Sequence, residues 1–169
     1  NQYTSGMSDV TLSRLFRHMA WANNQVFTKL STLPEESLSF AAWNPEWTVG
    51  KIANHIVIAQ ARMISRLEKQ SAPEEIDFPN TSQGMKDLAA KSAAHDAKIQ
   101  TFLDLPEEML TFVRYGETVS YLSTSVIAQL VHHATEHRAQ ISDILAFNKM
   151  DVVNLDDYDL WSFERSERS

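Results

Sequence analysis

Four stretches of the chain repeat apolar residues at steps of three and four, the spacing that places them on one face of an α-helix. The pattern predicts helices over about residues 9–33, 48–69, 81–103 and 123–148. Proline residues follow the first three stretches, so each stretch ends as a separate element. Amphipathic helices of this length bury their apolar faces against one another, which predicts an all-α four-helix bundle.

Two segments between the helices are more than simple turns. Residues 71–80 contain two prolines and are long enough for the third helix to cross the bundle instead of folding straight back. Residues 110–122 are rich in β-favouring side chains around Gly116, which predicts a short β-hairpin between the third and fourth helices. The tail, residues 150–169, is acidic and aromatic, and we expect it to pack against the bundle.

Length and composition indicate one domain over residues 1–169. A 43% hydrophobic content in 169 residues is enough for a buried core without covalent staples. The chain has no cysteine, which excludes disulfides and protein thiol chemistry, and fits a reducing, cytoplasmic location. Residues 1–8 are polar and lack the pattern of a secretory signal, so we expect a flexible N-terminus there.

Charge and hydropathy narrow the range of partners. The formal net charge is −7, and the basic residues are scattered along the sequence, which argues against nucleic-acid binding. No stretch approaches the roughly 18 consecutive apolar residues that a membrane span needs. We therefore expect a small-molecule substrate and no nucleic-acid or membrane partner.

Histidines on the fourth predicted helix are the first candidates for chemistry. His133 and His137 lie one turn apart, on the face that also carries the apolar residues of this helix. Two imidazoles at this spacing can reach one metal ion, whereas buried imidazoles without a partner cost on the order of 1–3 kcal/mol each. The alternative is a pair of histidines at the rim of the bundle, hydrogen-bonded to water or carbonyl groups.

A third ligand has two candidates. His55, at the edge of the apolar face of the second helix, completes a site if the second and fourth helices are neighbours. His95, on the apolar face of the third helix, competes with it, and each histidine has an ordinary core or boundary role as its alternative. His132 points about 100° away from His133 around the helix and cannot share its ion. His18 is expected at the surface.

Two amides are candidates for supporting the site. Gln140 lies on the same face as the histidine pair and can hydrogen-bond a ligand ring or a substrate, with a satisfied core amide as the alternative. Asn23, on the apolar face of the first helix, is a candidate for the same part. Trp47, just before the second helix, is expected to be a packing residue.

Three charged residues near the histidines have weaker functional interpretations. Glu136 lies on the flank of the ligand face and is a candidate base, with a solvated or ion-paired carboxylate as the alternative. Arg62, two turns beyond His55, is a candidate for binding an anionic substrate, with a salt bridge at the rim as the alternative. Arg138 is expected to face solvent.

These residues together resemble the DinB/YfiT-like family of metal-dependent four-helix bundles. The similarity lies in Trp47–Ile56 on the second helix and His133–Ile141 on the fourth, with smaller likenesses at Trp21–Asn23 and Asp156–Tyr158. The sequence departs from the family at Ala139, where glycine is frequent. The resemblance implies an up-down-down-up bundle in which the metal ligands are His55, His133 and His137.

The resemblance also implies an activity. Three neutral imidazoles leave positions on the ion open to water or substrate, and they suit Zn²⁺ first, with Ni²⁺, Fe²⁺ or Co²⁺ as alternatives. Members of the family have been linked to the transfer of low-molecular-weight thiols, and some to amide hydrolysis or isomerisation. We expect metal-dependent transfer of such a thiol to an electrophilic substrate. The alternatives are a hydrolase that uses metal-bound water and a non-catalytic, metal-stabilised bundle with a stress-related binding role.

Family bundles often pair through helix faces, which implies a homodimer.

Overall fold

The computed structural model describes residues 10–169, so the predicted flexible segment 1–8 lies outside the described residues. It contains five helices and one hairpin: α1 (Val10–Thr32), α2 (Val49–Leu67), α3 (Ser82–Gln100), β1 (Met109–Arg114), β2 (Glu117–Leu122), α4 (Ser123–Phe147) and α5 (Leu160–Arg168). The largest error in a predicted helix end is at α3, which ends at residue 100 and not at 103. The predicted all-α bundle with a hairpin before the last long helix is confirmed.

Threonine side chains fix the start of two bundle helices. Thr48 has extended backbone angles and its hydroxyl accepts a hydrogen bond from the Lys51 amide, so α2 begins at Val49. Thr81 does the same for α3 by accepting from the Gly84 amide at 3.0 Å. A fixed start sets the rotational phase of a helix, and for α2 this phase decides where His55 points.

The long connection after α2 lets α2 and α3 run in the same direction. It returns along α2, where Asn54 donates to the Ile76 carbonyl, and reaches the start of the helix at Gly50. From there α3 runs alongside α2, so Gln60 contacts Asp96 and Glu68 pairs with Lys98 near the far ends. This parallel pair is the step that an up-down-down-up bundle requires.

The fourth helix lies antiparallel to α2. At one end Trp47, before α2, contacts Gln140 late in α4, and in the middle His55 contacts His133. At the other end Met63 lines a cavity with Val126, early in α4. The up-down-down-up order is therefore observed, and it places two helices remote in sequence side by side.

An apolar core extends across the four long helices and is interrupted by a few buried polar side chains. Its largest fully buried side chains include Phe16, Phe27, Leu30, Ile52, Ile56, Met85, Ile99, Leu130, Ile141 and Leu145. Within each helix these positions are separated by three or four residues or by sums of such steps, so they lie on one face, as the hydrophobic pattern predicted. None of the helices among residues 10–169 is long and apolar enough to cross a membrane.

The C-terminal tail packs on α1, as expected. Phe163 of α5 is buried against the rings of Trp21 and His18. The prediction of a surface position for His18 is wrong, because this contact leaves only 9% of His18 exposed. Its Nε2 lies 2.7 Å from the Tyr158 carbonyl, which satisfies the buried ring.

Candidate metal centre

Three histidines from two helices converge on one point. The Nε2 atoms of His55 and His133 are 2.9 Å apart, and one ring nitrogen from each of His55, His133 and His137 lies within 4.8 Å of the others. The ring centroids of His133 and His137 are 4.4 Å apart, and each lies 4.7 Å from that of His55. The helix-four pair and the lone helix-two histidine therefore form one cluster, and this cluster can hold a metal ion.

The local sequence explains why these rings meet. On α4 the four-residue step places His133 and His137 on one side, next to the buried residues Ala134 and Ile141. On α2 the neighbouring Ile52 and Ile56 are buried, which leaves residue 55 at the edge of the α2–α4 contact. All three rings are partly buried, so they are accessible to a small ligand and also held by packing.

The separation of the two Nε2 atoms suits a shared ion. Imidazole nitrogens bound to one ion at about 2.0–2.1 Å lie about 2.9–3.4 Å apart, depending on the angle between them. The observed 2.9 Å falls at the lower end of this range. A hydrogen bond between the two rings can explain the same distance, but His137 converges on the same point, and its described hydrogen bond goes to Gln140. The donor set and the convergence therefore fit a divalent metal.

Burial keeps two of the rings neutral. Desolvation first, and then repulsion from charge on His137 and His55, lower the pKa of His133 to about 4. Desolvation also lowers the pKa of His55, and the charges of His137 and Arg62 act in the same direction. At neutral pH both side chains are in the uncharged form that binds a metal.

Gln140 orients the third ring. The Nδ1 atom of His137 lies 2.7 Å from Oε1 of Gln140, and the indole Nε1 of Trp47 lies 3.2 Å from the same oxygen. An indole N–H can only donate, so the amide oxygen must be the acceptor on that side. The Nδ1 of His137 therefore donates as well, and its Nε2 is left with a lone pair. The structure gives Gln140 the supporting contact that its position on α4 predicted.

Trp47 is a wall of the site, a role that sequence reasoning missed. Its ring centroid lies 5.2 Å from that of His55 and 5.9 Å from that of His137, edge-on to both. It also lines a cavity of about 360 Å³ together with His55, Ile58, Arg62 and Phe78. This cavity is a space beside the histidines that a small substrate can occupy.

The other sequence candidates lie outside the histidine cluster. His95 is partly buried on α3 and is not part of the group; burial lowers its pKa, and a backbone hydrogen bond at Val57 opposes this shift. Glu136 and His132 are exposed on α4. Arg62 donates to Glu75 at 2.9 Å, which is the salt bridge given as its alternative, but it also lines the cavity beside His55.

Arg138 and Asn23 belong to a different cluster, and the predictions for both need correction. Arg138 was expected in solvent, yet it is only 5% exposed and donates to Oδ1 of Asn23 at 2.6 Å. Burial lowers its pKa to about 10, so it still carries a charge at neutral pH. Because the amide oxygen of Asn23 accepts from Arg138, Asn23 contacts that guanidinium and none of the three histidines. The polar core cluster consists of Asn23, Gln60, Ser92, Asp96 and Arg138.

Comparison with known proteins identifies the family of the chain. The model of the DinB family matches residues 7–146, which is 140 of 169 residues and includes His55, His133 and His137. The chain belongs to the DinB family. No curated protein matches the sequence.

Proposed function

We propose that His55, His133 and His137 hold one divalent metal ion, and that the protein uses it to transfer a low-molecular-weight thiol to an electrophilic substrate. The convergence of three ring nitrogens within 4.8 Å of one another supports the metal site. Zinc is the ion of first choice for three imidazole ligands, with nickel, iron or cobalt as alternatives.

The chain provides the site but not the nucleophile. A divalent ion with vacant positions makes bound water or a bound thiol acidic enough to react as an anion near neutral pH. The chain contains no cysteine, so the thiol must come from a second small molecule. The proposed transferase is therefore a two-substrate enzyme, and its predicted cytoplasmic location and homodimer remain predictions.

The described side chains have separate roles in this proposal. His137 is held by its hydrogen bond to Gln140, so one ring nitrogen stays directed towards the other two histidines. Trp47 covers the edge of His55 and His137 and limits the access of water. The walls of the cavity of about 360 Å³ include the apolar side chains Ile58 and Phe78, two cations, Lys51 and Arg62, and two carboxylates, Glu75 and Asp77. A small molecule with an apolar part and charged groups of both signs matches these walls.

Metal content is the first test. Protein purified without chelator should contain about one divalent ion per chain by elemental analysis, and His137→Ala should lose most of it, because two imidazoles bind far more weakly than three. His132→Ala is the matched control, since His132 is exposed on the same helix and outside the cluster. Equal metal content in the wild type, His137→Ala and His132→Ala would reject the site.

Thiol consumption is the second test. Wild-type protein should deplete glutathione, cysteine or another intracellular thiol in the presence of a model electrophile, and a chelator or His137→Ala should stop the reaction. Metal-dependent cleavage of an amide without any thiol would favour the hydrolase alternative. Bound metal with neither activity, together with a fall in melting temperature on chelation, would indicate a metal with a structural role.

A further inference from the structure

A second, larger cavity lies between the C-terminal half of α2 and the hairpin. It measures about 830 Å³, and we call it the hairpin cleft. Four basic side chains line it, and no acidic residue does: Arg62, Arg66, Lys69 and Arg114. The whole chain has 15 lysines and arginines, so folding gathers about a quarter of them in this one cleft. They look scattered in the sequence because Arg114 lies on the hairpin and the others on or just after α2.

Two of these four cations are already paired. Arg62 donates to Glu75, whose side chain is 81% exposed, and Lys69 donates to Glu108 at 2.8 Å. Such exposed pairs are weak and rearrange easily. Arg66 and Arg114 form no ion pair with any carboxylate among residues 10–169. The cleft therefore holds a local excess of positive charge.

Aromatic rings hold the two unpaired guanidinium groups. Arg66 lies over the ring of Phe112 at 4.1 Å from its centroid, and Arg114 lies over Tyr115 at 4.9 Å. A guanidinium stacked on a ring uses its flat face and keeps its N–H edges for other contacts. The described contact of an Arg66 edge is the sulfur of Met63 at 3.5 Å, a weak acceptor. Most of the strong donors of Arg66 and Arg114 are therefore available to a ligand.

Like charges oppose one another in the cleft. Burial lowers the pKa of Arg66, and the neighbouring cations Arg114 and Arg62 lower it further. This repulsion is relieved when an anion binds between the groups. The chain as a whole carries a net charge of −7, which repels anions in general. Anion binding by this protein would therefore indicate a specific site and not a general electrostatic attraction.

Arg62 connects the hairpin cleft to the metal centre. Its side chain lines both the cleft and the smaller cavity that contains His55, and its charge contributes to lowering the pKa of His55. A molecule held by Arg66 and Arg114 can thus extend past Arg62 towards the histidines. The two cavities form neighbouring compartments on the same side of α2.

We propose that Arg66 and Arg114, assisted by Arg62, bind the carboxylate or phosphate group of a small anionic molecule in the hairpin cleft. Guanidinium groups bind both kinds of oxyanion through paired N–H donors. The proposal that an anion binds here depends only on the side chains of the hairpin cleft. The proposal that this anion anchors the thiol or the electrophile beside the metal rests on the proposed function.

The test is a calorimetric titration of the full chain at low salt, with succinate as the carboxylate probe and phenyl phosphate as the phosphate probe. We expect saturable binding of at least one probe, and the tighter of the two identifies the preferred oxyanion. The double variant Arg66→Gln/Arg114→Gln should weaken binding by at least about tenfold, since each arginine supplies charge-assisted hydrogen bonds. Arg14→Gln is the matched control, because Arg14 is exposed on α1, lines no described part of the cleft and carries the same charge. It should bind like the wild type.

Two further variants distinguish an anion bound in the cleft from an anion bound at the metal centre. Arg114 is exposed, so the single variant Arg114→Gln should fold normally and still weaken binding several-fold. His137→Ala should keep its anion affinity, because the cleft does not need the metal. Loss of binding in His137→Ala with retention in the double variant would show that the anion binds the metal, and would overturn the proposal. The proposal would also be overturned if neither probe showed saturable binding at concentrations up to about 10 mM. Neither outcome depends on thiol turnover, so failure of the proposed transferase activity is detected separately.

Discussion

The Nδ1–H of His137 donates a hydrogen bond to Oε1 of Gln140 over 2.7 Å, one helical turn further along α4. The same oxygen accepts from the indole of Trp47 at 3.2 Å. One amide thus selects the tautomer of a histidine and holds an aromatic ring beside it. Contacts of this kind orient metal ligands in proteins, and their loss lowers metal affinity without removing a ligand.

Replacement of Gln140 should weaken metal binding. Gln140→Ala removes the acceptor for His137, so the ring is free to rotate or to adopt the other tautomer. We expect the dissociation constant for Zn²⁺ to rise about 10- to 100-fold, measured by competition with a chromophoric chelator. Gln129→Ala, at an exposed position of the same helix, should leave it unchanged. A Gln140→Ala affinity equal to that of the wild type would show that packing alone orients His137.

Metal binding should displace few protons in mildly acidic solution. A histidine with a pKa near 6.5 is about three-quarters protonated at pH 6, so three such residues would release about two protons when they bind a metal. The pKa of His133 is lowered to about 4, so this ring is already deprotonated at pH 6, and the lowered pKa of His55 leaves that ring less protonated than a free histidine. We therefore expect release of fewer than two protons at pH 6. Calorimetry in two buffers of different ionisation enthalpy measures this number, and a value of two or more would contradict the burial of the site.

Asp96 should make the protein less stable as the pH rises from about 4 to 7. Burial raises its pKa to about 7, although Gln60, Asn23, Arg138 and Ser92 oppose the shift. Between the ordinary pKa of an aspartate and this value, the folded state holds a proton that the unfolded state has lost. The contribution to the free energy of unfolding is therefore present at low pH and declines through this window, by on the order of 4 kcal/mol.

The variant Asp96→Asn isolates this effect, because the amide oxygen can still accept from Gln60 but has no proton to lose. Denaturant unfolding of variant and wild type should show the stability of the variant rising relative to the wild type between pH 4 and pH 7. Asp87→Asn, at an exposed position of α3, should show no such trend. A trend in the opposite direction would mean that Arg138 keeps Asp96 ionised in the folded protein.

Gly50 should not tolerate a side chain. A Cβ atom at this position would lie 2.5 Å from the Pro79 carbonyl oxygen and 3.2 Å from that of Leu38, and backbone atoms cannot move aside easily. Gly50→Ala should lower the free energy of unfolding by about 1–3 kcal/mol, even though alanine favours helices. Gly84→Ala is the comparison, because its nearest contacts, at 3.2 Å, are side-chain atoms. Equal stability of the two variants would show that the connection before α3 can shift.

The helices could be predicted from the sequence because the pattern that defines each one lies within a single continuous segment of the chain. Apolar residues at three- and four-residue steps define each buried face, and the same periodicity places His133 and His137 on one side of α4. The contact between His55 and His133 joins residues 78 apart in the chain, and periodicity cannot supply it. That pairing came from the resemblance to a family, together with a connection long enough to reorder the helices.

The polar core cluster was missed because its members come from different helices. Arg138 was expected in solvent because it faces away from the histidines on α4, and Asn23 was expected to support the histidines because it is an amide on an apolar face. The structure pairs these two residues with each other. The sequence did contain a signal for this cluster, because the apolar faces of α2 and α3 are also interrupted by Gln60, Ser92 and Asp96. Several polar side chains that point into one core need one another as hydrogen-bond partners.

Trp47 was missed for a different reason. It precedes the N-cap of α2 and lies outside every periodic stretch, so the hydrophobic pattern gives it no direction. Its position follows from the antiparallel contact of α2 with α4, which brings the start of one helix to the end of the other.

The crossing connection at residues 68–81 also has a consequence for biosynthesis. Because α3 runs parallel to α2, the helix that lies antiparallel to α2 and brings the other two histidines to it is α4. When a growing polypeptide has emerged from the ribosome only as far as the hairpin, it contains one of the three imidazoles. A single imidazole binds a cation weakly. Capture of an ion by the proposed site would therefore wait until α4 has been synthesised, and products truncated before α4 should be released metal-free.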